Sequence, residues 1–202
     1  MNHLPLVLAS TSPFRRELLL RLGLPFVTLA PRVDESRRPG ESPEALVERL
    51  AETKARAVAA DMPQALVIGS DQVACVGGEI LGKPGDRAGA IAQLTRASGQ
   101  VVVFHTGLCL LNTATERARV AREPFRVHFR PLTPAQIAGY VDREELFHCA
   151  GSFKSEGLGI ALFARLEGDD PSALVGLPLI RLVALLAAEG VDVLGPRLAP
   201  AA

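Results

Sequence analysis

Leu6-Val7-Leu8-Ala9-Ser10-Thr11-Ser12-Pro13-Phe14-Arg15-Arg16-Glu17-Leu18-Leu19-Leu20 decides how this chain begins to fold. The short apolar run Leu6 to Ala9 reads as a buried strand, and Ser10-Thr11-Ser12 as a tight polar loop. Ser12 is a good helix N-cap, and Pro13 fits the first helical turn, where its missing N–H costs nothing. Leu18, Leu19 and Leu22 then supply a periodic apolar face. The helix N-terminus is rimmed by hydroxyls and by the guanidinium groups of Arg15 and Arg16. Backbone N–H groups there point outward and carry partial positive charge, so the site suits an anion, phosphate above all.

Strand and helix signals alternate outward from this stretch, which argues for an α/β fold. Phe26 to Ala30 reads as a strand and Pro31 to Gly40 as a charged loop holding Asp34, Glu35, Arg37 and Arg38. Ser42-Pro43-Glu44 opens a second helix as Ser12-Pro13 opens the first, with Leu46, Val47 and Leu50 on its apolar face. Leu66 to Gly69 reads as a buried strand, and Gln72 to Val76 and Glu79 to Leu81 flank the hairpin signal Gly77-Gly78. Asp86 to Arg96 is expected to be a helix, Val101 to Leu111 a long strand, and Arg117 to Arg130 a half-buried one. Thr133-Pro134 caps a further helix, Leu158 to Leu166 reads as a strand, and Leu179 to Glu189 as a helix ended by Gly190. The long central pair suggests a mixed sheet. No repeat or composition shift divides the chain, so residues 1–202 read as one domain with a flexible tail from about residue 195.

The 202 residues are 48% hydrophobic, enough for a sizeable core, and the formal net charge is +0. No global field draws nucleic acid or an anionic membrane, and neither partner is expected. Cys75, Cys109 and Cys149 are odd in number and widely spaced, which speaks against a disulfide framework or a zinc site. His3, His105, His128 and His148 show no metal-ligand spacing. With no spanning apolar run and no signal peptide, the expected location is the cytoplasm. Of 22 basic residues only Lys54, Lys83 and Lys154 are lysine. Lysine is a compact point charge that arginine does not imitate in a tight site.

Chemistry concentrates in a few segments. In LVIGSDQVACVGGEILGKP (Leu66 to Pro84), Asp71 sits where an apolar strand gives way to polar residues. A carboxylate there can hold a divalent metal or take a proton from water; a turn aspartate at a strand end is the plainer reading. A hairpin would return Lys83 to the neighbourhood of Asp71. Gly77 to Lys83 has the spacing of a P-loop, but Pro84 stands where a hydroxyl should bind magnesium and open a helix, so that reading is rejected. In AGSFKSEGLG (Ala150 to Gly159), Lys154 and Glu156 either share a face of a short extended stretch or are solvated charges of a glycine-punctuated loop. Arg15, Lys54 and Lys83 as cations, with Glu35 and Asp71 as carboxylates, are the equipment for binding a polyphosphate with its metal and hydrolysing it.

On LASTSPFRREL, the VDE of Val33 to Glu35, the lysine of AETKA, GSDQV, GKP, CAGSFKSEGLGI and LVGLPLIRL, the chain resembles the Maf family of nucleoside triphosphate pyrophosphatases. The resemblance spans Leu6 to about Gly190. It implies a Maf/ITPase-like mixed twisted sheet flanked by helices, with an active-site cleft between two lobes. It implies hydrolysis between the α and β phosphates, a divalent metal (Mg or Mn) and a homodimer. By motif, Asp71 takes the proton-acceptor role, while Ser10, Arg15, Glu35, Lys54 and Lys83 fall on phosphate and metal positions, Glu35 and Asp71 being the metal carboxylates. Phe14, Gln72 and Glu156 resemble the branch acting on 7-methyl-GTP. Methylation at N7 makes the guanine ring cationic, and a cation over an aromatic face gains about 0.5–2 kcal/mol. Phe14 either supplies that face or anchors the first helix. Glu156 can accept from the guanine N1–H and exocyclic amine, and Gln72 can donate and accept at the base edge. The alternatives are a dTTP/UTP pyrophosphatase and a nucleotide-binding regulator of septum formation that needs no turnover.

Overall fold

The computed structural model describes residues 4–144, 147 and 150–195. His3, His148, Cys149 and the tail beyond Gly195 lie outside the described residues. The chain groups into two compact units: residues 1–72, 106–123 and 170–202 form the first, and residues 73–105 and 124–169 the second.

In the first unit, β1 (Leu6–Ala9) lies between β2 (Phe26–Leu29) and β3 (Leu66–Val76), parallel to both. Leu6 is in register with Phe26 and Leu66, and Ala9 with Leu29 and Gly69. β5 (Val101–Asn112) and β6 (Arg117–Phe129) follow β3 in the sheet order. All four residues of β1 are buried because they alternate between two cores. Leu6 and Leu8 join Leu66, Ile68, Leu108 and Leu110 on one face, covered by Leu18 and Leu19 of α1 (Pro13–Leu20) and Leu182 and Leu186 of α6 (Leu179–Ala188). Val7 and Ala9 join Val67, Cys109 and Leu111 on the other face, covered by Ala51, Ala55 and Val58 of α2 (Pro43–Ala59). This is the period-two logic of a strand buried on both sides. Burial pushes the Cys109 thiol up to about 12, so it behaves as a core residue.

The α2 face is built from small residues. A Cβ at Gly69 would collide with the Ala51 carbonyl, and one at Gly107 with the Val47 carbonyl. Glycine on two strands lets α2 sit against the sheet at backbone distance, which fixes the depth of every side chain α2 carries.

In the second unit, β4 (Glu79–Leu81) pairs antiparallel with the Ala74–Val76 end of β3, and β7 (Phe163–Glu167) pairs antiparallel with β6, so the sheet is mixed as expected. α3 (Arg87–Ala97) packs on α4 (Pro134–Glu144). Phe104, Phe129, Phe153 and Phe163 form an edge-to-face cluster with centroids 4.8–5.5 Å apart. Among the described residues, no helix is long and apolar enough to cross a membrane.

Three local expectations are corrected. β3 is one continuous strand from Leu66 to Val76, so Asp71 lies inside it and not at its end. The polar stretch Ser70 to Gln72 is carried between the part of β3 paired with β1, Leu66–Gly69, and the part paired with β4, Ala74–Val76. Leu158–Leu162 is a 3-10 helix, and the strand begins only at Phe163. Gly159 lies so close to the Lys154 carbonyl that the chain there must coil back. For the same reason Lys154 and Glu156 are not on an extended stretch: Glu156 sits in a turn, exposed, accepting from the Ser155 hydroxyl at 2.7 Å.

Candidate active site

Strand parity sorts the polar residues of β3. Asp71 follows Val67 and Gly69 toward α2, whereas Ser70 and Gln72 follow Leu66 and Ile68 toward α5 (Pro171–Val175) and α6. On the α2 side, Lys54 reaches back to the strand. Its ammonium donates to Asp71 Oδ1 at 2.6 Å and contacts Glu35 Oε1 at 2.9 Å. Lys54 and Asp71 are buried, with 7% and 10% of their side-chain surface exposed, whereas Glu35 rides on the charged loop with 57% exposed. A buried ammonium between two carboxylates is a charge cluster that repacking with apolar residues would relieve, so it is poor fold chemistry and good site chemistry.

Arg15 belongs to the same neighbourhood. Desolvation pulls its pKa down, and the charges of Asp71 and Glu35 pull it back up. Its Nε donates to the Gly176 carbonyl at 2.8 Å. Gly176 adopts φ +117° at the C-terminus of α5, a conformation that favours glycine, and it turns that carbonyl toward both Arg15 and the buried Ser70 hydroxyl. Ser10 is buried at the end of β1, and its hydroxyl accepts from the Ser12 N–H at 3.1 Å. Ser12 caps α1 as expected, accepting from the Arg15 N–H.

Gln72 does not have both of its functions at liberty. Its amide nitrogen donates to the Ala173 carbonyl at 2.7 Å, the Leu174 carbonyl at 3.1 Å and the Thr106 hydroxyl at 2.9 Å. Two backbone carbonyls fix that orientation, so only the Oε1 acceptor is left to read a base. Phe14 is partly buried in the first turn of α1.

Lys83 and Glu156 belong to the second unit. Lys83 is exposed directly after β4. Gln93 of α3 donates to the carbonyl of neighbouring Gly82 at 2.7 Å and accepts from the Ser152 hydroxyl at 2.6 Å. One glutamine thus holds the GKP segment and the GSFKSEG segment together. Ser152 carries φ +62°, unusual for a residue with a side chain, and is buried under that contact.

Sequence reasoning did not find Arg49, Ser70, Thr106, Gln93 or Gly176. The polar pair flanking Asp71 inside an apolar strand was the available signal for Ser70 and Gln72, and LVGLP for Gly176. Arg49 and Gln93 are ordinary helix-surface residues until the loops they hold are seen.

Glu35 and Asp71 both contact the Lys54 ammonium, and among the described residues no group of three or more His, Cys, Asp or Glu is gathered as a metal site, so a cation here would have two protein carboxylates. Magnesium is characteristically held by one or two carboxylates together with substrate phosphates, so this donor set fits it.

The profile described as Maf-like protein matches residues 5–189. A 7-methyl-GTP pyrophosphatase of Alcanivorax borkumensis is 63% identical over 93% of this chain and 95% of its own. Proteins of the same description from Vibrio vulnificus and Pseudomonas aeruginosa are 60% and 58% identical, covering 96% and 93% of this chain and 100% and 98% of theirs. The solved structure of the Staphylococcus aureus Ham1 protein superposes with a TM-score of 0.52 at 14% identity, over 92% of this chain and 99% of that one, a likeness of fold alone. The segments that build the Lys54–Asp71–Glu35 cluster all fall inside the matched residues, and with relatives this similar along nearly their whole length the chain belongs to the Maf family.

Proposed function

We propose that this protein hydrolyses 7-methyl-GTP to 7-methyl-GMP and pyrophosphate. The observation that carries the reading is the buried Lys54 ammonium shared by Asp71 and Glu35. The likeness to 7-methyl-GTP pyrophosphatases at 58–63% identity supports the substrate.

Water attacks the α phosphorus, the bond from that phosphorus to the α–β bridging oxygen breaks, and pyrophosphate leaves. Asp71 Oδ1 is engaged by Lys54, which leaves Oδ2 to orient the water and accept its proton. Ser10, Arg15, Lys54 and Lys83 bind the phosphate oxygens and neutralise charge that builds as the bond breaks. Glu35 and Asp71 would hold a divalent cation, which would supply further charge neutralisation. Phe14 stacks on the cationic base, Glu156 accepts from the guanine edge, and Gln72 contributes its carbonyl oxygen. Discrimination against GTP then rests on ring charge more than shape. The reading includes a cytoplasmic enzyme acting as a homodimer, which light scattering would report as twice the chain mass.

Pyrophosphate release from 7-methyl-GTP, GTP, dTTP and UTP, with magnesium or manganese, tests it. The wild type is expected to prefer 7-methyl-GTP. Asp71→Asn is expected to lose about 10²–10⁴-fold in turnover while nucleotide affinity persists by calorimetry. Faster turnover of dTTP and UTP would overturn the substrate, and an active Asp71→Asn would overturn the mechanism.

A further inference from the structure

The loop from Pro31 to Gly40 is exposed along most of its length, yet it must present Glu35 to a buried ammonium. Lys54 itself is one attachment. The second is Arg49, a turn and a half earlier on α2. Arg49 Nε donates to Glu41 Oε1 at 2.6 Å, and Nη2 donates to Glu41 Oε2 at 2.8 Å and to the Ser36 carbonyl at 3.0 Å. Ser36 is the residue after Glu35, and its N–H donates to Asp34 Oδ1 at 2.9 Å, so both neighbours of Glu35 are tied in. Glu41 closes the far end: its second oxygen also accepts from the Arg38 N–H at 3.0 Å, and its own carbonyl accepts from Arg37 Nε at 2.6 Å. The Arg49–Glu41 fork is bidentate, and both side chains are largely sequestered, with 18% and 8% exposed.

We propose that Arg49 and Glu41 are positioning residues, a clasp that sets Glu35 against Lys54 and thereby acts on the reaction through Glu35. The inference rests on the pyrophosphatase reading. Lysine could not replace Arg49, because one ammonium cannot span two carboxylate oxygens and a carbonyl in a fixed plane.

The test is a double-mutant cycle on the full chain with 7-methyl-GTP and magnesium: wild type, Arg49→Gln, Glu35→Gln and the double variant. Arg49→Gln is expected to lower kcat about tenfold in the wild-type background and less than about twofold when Glu35 is already gone. A purely structural arginine would give independent, multiplicative losses, and that result overturns the proposal. Glu41→Gln, which keeps the side-chain shape, repeats the cycle should Arg49→Gln fail to fold. Limited trypsin digestion gives a readout that needs no activity. Cleavage after Arg37 should quicken in Arg49→Gln, the bond after Arg38 being closed to trypsin by Pro39, and an unchanged rate also overturns the clasp. A wild type that releases no pyrophosphate would sink the enzymatic reading instead, leaving the clasp to be judged by the cleavage rate.

Discussion

Lys54 and Asp71 show how much a single contact can hold in place. Each is nearly closed to solvent, and they meet at 2.6 Å. Lys54→Met strands the Asp71 carboxylate in the interior and is expected to destabilise the protein by about 3 kcal/mol. Asp71→Asn leaves the ammonium with Glu35 and should cost less, and urea unfolding of both variants compares them. Lys54 was legible in the sequence because the chain otherwise spends arginine on its cations. Asp71 was legible as a polar residue embedded in an apolar run, although the pattern pointed to a strand end. From local pattern Glu35 was legible only as a member of a charged loop, and its place beside Asp71 came from the family resemblance. Its partner is 19 positions away on a helix, and no local pattern encodes that distance. Gln72 was legible as a polar residue beside Asp71, but the carbonyls that occupy its nitrogen come from a segment a hundred residues downstream.

At the scale of elements, local rules worked wherever a local cause decides. Ser12, Ser42 and Asp86 cap the helices that follow them, and Gly77-Gly78 turns β3 into β4. They failed at Leu158–Leu162, where an apolar run reads as strand but the close approach of Gly159 to the Lys154 carbonyl imposes a helical turn. α5 was invisible because five residues carry too little periodicity. It is held instead by Asp170, buried, whose carboxylate accepts from the Ser172 and Ile180 N–H groups and so serves the start of α5 and of α6. The other end of α6 is tied to β5 and β6 by Glu189, which accepts from Asn112 at 2.8 Å and Arg119 at 2.7 Å. Burial pushes the Glu189 pKa up, but these two hydrogen bonds and the arginine charges outweigh it and hold the carboxyl below its ordinary value. The stabilisation is therefore fully present above the ordinary Glu range and is lost as pH falls through the depressed folded value. Glu189→Gln is expected to cost about 1.5–3 kcal/mol at pH 7. Urea midpoints taken down an acid series should show the gap to wild type closing only below the ordinary Glu range.

For the whole molecule, neither compact unit is a continuous piece of chain. The first collects three segments and the second two; three of the four crossings fall inside β3, β5 and β6, and the fourth between β7 and α5. The alternation of strand and helix signals gave the α/β class, but which residues cluster with which is set by pairings between distant strands and could not be read locally. The core around Leu6 and Leu8 draws on Leu108, Leu110, Leu182 and Leu186. A fragment of residues 1–72 lacks those partners and is expected to show no cooperative unfolding by circular dichroism, despite containing β1, α1, β2, α2 and most of β3. The placement of the two site carboxylates has a further consequence. Asp71 is rooted in the middle of a strand hydrogen-bonded within the sheet, and Glu35 on a loop that α2 tethers from one side. Warming is therefore expected to act on them unequally, the loop opening before the strand, which hydrogen exchange on a temperature series would report. The upper temperature limit of turnover should be set by the outer carboxylate, well short of global denaturation.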